Sequence, residues 1–182
     1  EDIGALPPSN AITKDCRSRL AAGAITLAAG DFCEFGGVLP TTLDSSGNIM
    51  VAGVISGHES TGVLSFGSGA GDPSLFLLPP VEQFRSDYSF VSPPTYARSY
   101  VTVAIRRGVS LSLDGREVSN ANRLERRALT LGDESWEVFS IAVEDGVHRL
   151  ESAERFGLVV YAYDDYVSYA FSGGLDLVPK GQ

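Results

Sequence analysis

An acidic pair near the end of the chain has the residue types for several kinds of chemistry. Asp164 and Asp165 follow a long apolar run, and Asp176 lies a short distance downstream. Two carboxylates could serve as the acid and base of glycoside hydrolysis, or supply part of a calcium site, which needs six to eight oxygens. Adjacent residues of an extended strand point to opposite faces, and the sequence has no Asp-x-Asp-x-Asp loop. The pair therefore favours a corner that accepts backbone hydrogen bonds, with calcium left as an alternative.

Aromatic side chains surround this acidic pair. Tyr161 and Tyr163 precede it, Tyr166 follows it, and Tyr169 and Phe171 come next. A row of tyrosines can stack on sugar rings or anchor a protein interface, but the core of a β-sandwich uses the same residues. Packing is the favoured interpretation. The candidate binding surface predicted here consists of five residues: Tyr163, Asp164, Asp165, Tyr166 and Tyr169.

Nucleophilic catalysis finds little support in the sequence. A Ser-His-Asp triad needs a base beside a hydroxyl and a third group that orients the base. His58 lies in a Gly/Ser loop (Ser-Gly-His-Glu-Ser), His148 lies in a predicted strand, and no Gly-x-Ser-x-Gly elbow occurs. Glycine-rich phosphate loops and Cys/His clusters are absent from the sequence as well. We predict no catalytic residue, no metal ligand and no cofactor; a hydrolase built on Asp164 or His58 is the enzymatic alternative.

The overall charge argues against a nucleic-acid partner. Acidic residues outnumber basic ones by 23 to 14, which gives a net charge of −9, and phosphate backbones would be repelled. The basic residues are nearly all arginine, a usage typical of GC-rich bacterial genomes. No stretch of 18 apolar residues exists, so the sequence predicts no membrane-spanning helix.

The distribution of turn residues and apolar residues predicts an all-β fold. The chain has 20 glycines and several proline pairs, which suits many short strands joined by turns. Residues 156–163 are almost wholly apolar, as in a strand buried on both faces, and residues 48–55 suit a central strand. Alternation over residues 100–106 indicates a half-buried strand. We predict a β-sandwich, jelly-roll-like or immunoglobulin-like, with little helix and with part of a second sandwich as an open possibility.

Three local patterns make sharper predictions. Asp114-Gly115 between alternating residues predicts a two-residue hairpin turn, since both residues tolerate positive φ. In residues 135–143 the apolar positions change phase after Val138, which predicts a β-bulge before Phe139 that turns both sets of side chains to one core. Residues 120–127 are rich in arginine and are interpreted as a solvated loop or short helix.

Two cysteines, Cys16 and Cys33, close a loop of moderate length. A disulfide across such a loop would stabilise the fold by roughly 3 kcal/mol in the chain-entropy model. Two buried thiols are the alternative. A disulfide is favoured because a secreted β domain occupies a compartment in which such bonds persist.

Several blocks of the sequence resemble the IgGFc-binding-protein domain family, which has bacterial surface and secreted members. Residues 71–74 (Gly-Asp-Pro-Ser) and 80–84 (Pro-Val-Glu-Gln-Phe) are similar to its Gly-Asp-Pro…Val-Glu-Gln-aromatic segment, and residues 109–115 are similar to its Leu-Asp-Gly hairpin. Residues 168–175, from Ser-Tyr to Gly-Gly-Leu, form the most specific block. The resemblance covers residues 71–177 well and 20–57 loosely.

This resemblance implies a non-enzymatic, extracellular or cell-surface domain used for adhesion or structural contacts between proteins. It does not assign antibody Fc as the ligand. A carbohydrate-binding module that uses the tyrosines is the alternative, so the expected partner is a protein or a glycan at a cell surface. We expect residues 1–23 to form an extended segment, 24–70 a partial sandwich or first strands, and 71–179 the main sandwich. We also expect the chain to be part of a longer polypeptide or assembly.

Overall fold

The computed structural model describes residues 25–34, 42–55, 57 and 71–177. The chain divides into two compact units, residues 1–39 and 40–182. In the described part of the first unit, a turn is closed by a hydrogen bond of 3.1 Å from Asp31 N to Ala28 O. The segment predicted over residues 1–23 lies outside the described residues, and the proposed division at residue 71 remains a prediction.

The described part of the second unit consists of strands and two single 3-10 turns. The strands are β1 (Val51–Ile55), β2 (Ser74–Leu78), β3 (Arg85–Ser92), β4 (Arg98–Arg106), β5 (Leu111–Leu113), β6 (Arg116–Glu117), β7 (Leu124–Leu131), β8 (Glu134–Val143), β9 (Gly146–Asp164) and β10 (Val167–Ser172). The 3-10 turns are Val81–Gln83 and Asn120–Asn122. The prediction of an all-β fold with little helix is confirmed.

The long strand β9 belongs to two sheets. Its first half pairs with β3 on one side and β5 on the other, and β5 pairs with β6. Its second half pairs with β4 and β10, and the larger sheet runs β10-β9-β4-β8-β7. Between the pairs Arg85–Phe156 and Asp87–Glu151, one residue of β3 lies opposite four residues of β9. Such an irregularity lets one strand bend from one sheet into the next.

Both sheets contribute to one hydrophobic core, as the predicted sandwich requires. The smaller sheet consists of β3, β5, β6 and the first half of β9. Tyr88 and Leu150 come from this sheet, Val103 and Phe139 come from the larger sheet, and all four are buried in the same cluster. The sequence alternates along β4 because Val101, Val103 and Ile105 face this core. The other face of the larger sheet is called the outer face below. β1 and β2 form a separate antiparallel ribbon.

The β-bulge predicted within β8 is wrong. β8 pairs with β4 without a register shift, so Phe139 and Ile141 face the core while Trp136 and Val138 face outward. Trp136 is nevertheless buried, because the ring of Phe84 packs against it at 6.2 Å between ring centroids. Glu137 lies on the same side of β8 as Phe139 and Ile141 and faces the core. The pattern of apolar residues did not predict a core position for this glutamate.

Glu137 is buried together with two arginines. Its side chain is paired with Arg123 and Arg126, and Arg123 also lies over the ring of Phe139 at 4.6 Å. Arg126 bonds Asn120 Oδ1 at 3.2 Å. Residues 124–131 form the strand β7, so the interpretation of residues 120–127 as a solvated loop or short helix is wrong for residues 124–127, whereas residues 120–122 do form an exposed 3-10 turn. Arg123 neutralises the buried carboxylate.

The hairpin turn at Asp114-Gly115 is confirmed. Both residues have positive φ, 53° at Asp114 and 76° at Gly115, between β5 and β6. A Cβ at position 115 would meet no atom within 4 Å, so only backbone strain opposes a side chain there.

Gly115→Val is therefore expected to destabilise the chain by about 1–2 kcal/mol, because a β-branched residue resists positive φ. Gly115→Asn is the matched control and should cost less, since asparagine tolerates this conformation. The two variants can be compared by thermal unfolding. Equal melting temperatures for both variants and the parent chain would contradict the turn.

The predicted disulfide remains a prediction because Cys16 lies outside the described residues. Cys33 is half-buried in the first unit. We expect peptide mapping by mass spectrometry under non-reducing conditions to recover one peptide pair that joins Cys16 to Cys33. Alkylation of both thiols in the native, unreduced protein would rule the bond out.

Candidate functional site: the corner between β9 and β10

The acidic pair lies at the corner of a tight hairpin. β9 ends at Asp164, β10 begins at Val167, and Tyr166 in the turn has a φ of 54°. The backbone N–H of Asp165 donates to Asp164 Oδ1 at 2.7 Å. The carboxylate of Asp164 thus accepts a backbone hydrogen bond, as the corner interpretation predicted.

A strap formed by residues 71–74 fastens this corner from one side. Gly71 N donates to the carbonyl of Asp164 at 2.9 Å, and Ser74 Oγ donates to the carbonyl of Ser168 at 2.9 Å. Ser168 Oγ donates to the carbonyl of Asp72 in return. Gly71 has a φ of 86°, and a Cβ there would lie 2.9 Å from Tyr163 Cδ1. Only glycine fits this close approach, which explains the glycine at the start of the strap.

The five predicted binding residues do not share one face. Asp164, Asp165 and Tyr166 lie together at the corner. In the hairpin ladder, however, Tyr163 pairs with Ser168, while Tyr169 pairs with the core-facing Ala162. Because directly opposed residues point to the same side, Tyr163 lies on the outer face and Tyr169 on the core side.

Each tyrosine packs against other rings on its own side. On the core side, Tyr169 contacts Tyr96 with 4.7 Å between centroids and contacts the hydrophobic core. On the outer face, Tyr161 stacks on Tyr100 at 5.6 Å and meets Tyr163 edge-on at 5.7 Å. Much of the tyrosine surface is therefore used for packing within the domain.

The environment of Tyr161 and Tyr163 favours the neutral form of both phenols. Burial, with smaller contributions from the neighbouring Tyr161, Glu125 and Tyr100, raises the pKa of Tyr163 to about 12. Burial also raises the pKa of Tyr161, whose hydroxyl donates to Ser140 Oγ at 3.1 Å. Neutral phenols at physiological pH are not bases or nucleophiles.

An exposed apolar face of the β1–β2 ribbon lies near this corner and was missed by sequence analysis. On one face of the β1–β2 ribbon, Val54 lies opposite Leu75, and Ala52 lies opposite Leu77. Leu75 is 68% exposed, and Val54 and Leu77 are about half exposed, as is the neighbouring Ile49. The apolar composition of β1 predicted a central strand, but among the described residues β1 pairs with β2 alone.

The ribbon lies next to the hairpin because Ser74, at the start of β2, bonds Ser168 in β10. Tyr166, 52% exposed, and Val167, 40% exposed, are the exposed apolar residues of the turn itself. We call the set Val54, Leu75, Leu77, Tyr166 and Val167 the contact surface. It carries no ionisable group apart from the phenol of Tyr166, on a chain whose net charge is −9.

The groups considered for catalysis are engaged elsewhere. Both ring nitrogens of His148 have partners, Asp114 Oδ2 at 2.8 Å and the carbonyl of Glu144 at 2.7 Å. Asp176 pairs with Arg155 at 3.0 Å instead of joining Asp164 in the calcium site considered above. Within the described ranges, no group of three metal-ligating side chains occurs. His58 lies outside the described residues.

A cavity of about 270 Å³ opens beside the end of β10. It is lined by Arg85, Asp87, Tyr88, Ser89, Gly173 and Gly174. Arg85 and Asp87 form an ion pair at 3.8 Å, and the Tyr88 hydroxyl donates to the carbonyl of Phe156 at 2.6 Å. These polar groups are therefore satisfied within the protein.

None of the helical segments in the described part of the chain is long and apolar enough to cross a membrane.

Comparison with known proteins identifies one family. The family model described as IgGFc binding protein matches residues 11–162. The match includes the strap and runs through most of β9, and it ends just before the corner. No curated protein and no solved structure matches the chain.

Proposed function

Because the chain belongs to the IgGFc binding protein family, a family of binding domains, we propose that it is a non-catalytic, extracellular domain that binds a protein partner. Adhesion or structural assembly at a cell surface is the role that fits such a domain. Two observations support the non-catalytic part: both ring nitrogens of His148 are hydrogen-bonded, and the carboxylate of Asp164 serves the turn. An extracellular location agrees with the family and with the predicted Cys16–Cys33 bond.

The contact surface is the proposed site of binding. The observation that carries this proposal is the exposed apolar face of the ribbon beside Tyr166. Clusters of exposed apolar side chains often mark interaction sites, and tyrosine is a frequent anchor of interfaces. The strap fixes the corner with backbone hydrogen bonds, so little conformational entropy would be lost on binding.

The chemistry of this surface favours a protein over a glycan. Leucine and valine side chains present no ring face or hydrogen-bonding group to a sugar, whereas they pack well against another protein. On the outer face, the ring of Tyr161 already stacks on that of Tyr100. Asp164 and Asp165 lie beside the surface and would meet basic or amide groups of the partner at its rim.

Capture of a partner by matched variants tests the proposal. The immobilised chain would be exposed to the Fc fragment of immunoglobulin G, suggested by the family description, to cross-linked extracellular proteins and to a glycan array. Leu75→Ser/Leu77→Ser and Tyr166→Ser should each weaken protein capture by about tenfold or more. Val147→Ser is the control, because Val147 is 77% exposed in the smaller sheet and outside the contact surface.

Each outcome of this experiment bears on the proposal. Loss of capture in the two contact-surface variants, with unchanged melting temperatures and intact capture by Val147→Ser, supports it. Equal capture by all variants would remove the contact surface from consideration. Glycan binding that disappears in Tyr163→Ala would replace the protein partner with a carbohydrate.

A further inference from the structure

His148 is buried on the core side of β9 and has a hydrogen-bond acceptor at each ring nitrogen. Its exposed fraction is 8%. Nδ1 lies 2.8 Å from the carboxylate oxygen Oδ2 of Asp114, and Nε2 lies 2.7 Å from the backbone carbonyl of Glu144. A neutral imidazole has a single N–H and can donate to only one of them. The imidazolium form, with two N–H groups, satisfies both.

The same aspartate fastens the β5–β6 hairpin to β9. Asp114 is the first residue of the hairpin turn, and its Oδ1 accepts a hydrogen bond of 2.8 Å from the backbone N–H of Arg149. Its own N–H donates to the carbonyl of Arg149 at 2.8 Å. The hairpin thus meets β9 through hydrogen bonds with the backbone of Arg149 and through the pair of Asp114 with His148, whose ionic attraction is lost when His148 is deprotonated.

We propose that His148, Asp114 and the carbonyl of Glu144 form a pH-sensitive latch that holds the β5–β6 hairpin on β9 in acidic to neutral solution and loosens it in alkaline solution. The proposal is independent of the contact surface and of any partner. It identifies a device in the fold that would let the local pH change the order of one surface hairpin.

The groups around the ring favour the charged form. Asp114 faces it from the hairpin, Glu144 from the β8–β9 connection, and Phe90 of β3 packs against it at 5.4 Å between centroids. The side chain of the neighbouring Arg149 on β9 is paired with Glu151 at 3.0 Å. Arg149 is the cation next to His148 in the chain, and its charge is thus partly compensated.

The pKa shifts agree with this arrangement. Burial alone would lower the pKa of His148, but the hydrogen bonds to Asp114 and Glu144 and the charges of these residues outweigh burial and raise it. Burial alone would raise the pKa of Asp114, but the hydrogen bonds from His148 and Arg149 and the charge of His148 lower it.

The directions of the two pKa shifts define the pH range in which the latch is closed. A raised histidine pKa gives stability that is fully present below the unfolded value of about 6.5 and is lost as the pH rises through the folded pKa. A lowered aspartate pKa gives stability that is present above the unfolded value of about 3.9 and is lost as the pH falls through the folded pKa. The latch is therefore closed between these limits, in mildly acidic and neutral solution.

Nuclear magnetic resonance of the ¹⁵N-labelled chain tests the latch. The imidazole nitrogens of His148 and the amide of Arg149 would be followed from about pH 5 to about pH 9, the range in which histidine titrates. We expect both signals to move with one midpoint above about 6.5. The heteronuclear NOE of residues 114–117 should fall above that midpoint, while the NOE of residues 98–106 stays constant.

Asp114→Asn is the matched variant, because asparagine keeps the turn and an acceptor for Arg149 but removes the charge. Its His148 midpoint should fall relative to that of the parent chain, since the hydrogen bond and charge of the Asp114 carboxylate no longer oppose burial, and the hairpin NOE should no longer depend on pH. A midpoint at or below the ordinary value in the parent chain, or a hairpin NOE that stays constant through the titration, would overturn the latch. If the variant does not fold, the titration of the parent chain is by itself sufficient to test the latch.

Discussion

Glu137→Ala is expected to lower the free energy of unfolding by about 3–5 kcal/mol, the usual range when one partner of a buried ion pair is removed. Glu137 is 1% exposed, and its carboxylate accepts hydrogen bonds from both Arg123 and Arg126. Arg123 is itself nearly buried, with its side chain over the ring of Phe139. Without the carboxylate, its charge would remain in the interior, and the carbonyl of Val118, at 3.4 Å, is its one other acceptor among the residues that the structure describes.

Urea unfolding with two companion variants would establish that the buried charge is responsible. Glu137→Gln keeps the shape and should lose somewhat less stability than Glu137→Ala. Glu134→Ala removes a surface partner of Arg106, where both side chains are nearly half exposed, and such pairs contribute about 1 kcal/mol or less. A loss for Glu137→Ala no larger than that for Glu134→Ala would contradict the buried cluster.

Phe156→Ala is expected to cost a similar amount, about 3–5 kcal/mol, because it would leave a cavity at the bend of β9. Phe156 has no exposed surface, and its ring meets that of Tyr88 edge-on at 4.9 Å. It pairs with Arg85 just where β9 leaves β3 and enters the larger sheet. The cavity would therefore loosen the packing of both sheets.

Phe171→Ala provides the control for this substitution. Phe171 is 40% exposed and stacks on Tyr169 in the edge hairpin. Its loss should cost about 1 kcal/mol, as for a partly exposed side chain. Equal destabilisation by the two alanine variants in urea would show that β9 is not the centre of a shared core.

Local rules of sequence were sufficient for the fold class and for the Asp114-Gly115 turn. Alternation in β4, the apolar run of β9 and the Asp114-Gly115 turn each depend on neighbours in the chain, so they could be predicted. Glu137 could not, because its burial depends on Arg123, which only the folded sheet brings beside it. The assumption that core positions are apolar turned regular alternation in β8 into a false β-bulge.

The candidate site shows the same division. A pair of aspartates after an apolar strand indicated the corner correctly. The faces of Tyr163 and Tyr169 depend on the turn register, in which Asp164 pairs with Val167. That register requires Tyr166 at positive φ, which tyrosine rarely adopts and no local signal announces. The exposed ribbon was missed because an apolar strand sequence indicates only that both faces can be buried. It does not indicate whether a second layer of the protein covers them.

Hydrogen–deuterium exchange of the chain with and without its captured protein partner tests the contact surface most directly. Binding at the ribbon and corner should slow the exchange of amides in residues 51–55, 74–78 and 164–167, while residues 98–106 in the middle of the larger sheet remain unchanged. Slowed exchange confined to residues 111–117 or 146–151 of the smaller sheet would place the partner elsewhere and contradict the proposed surface.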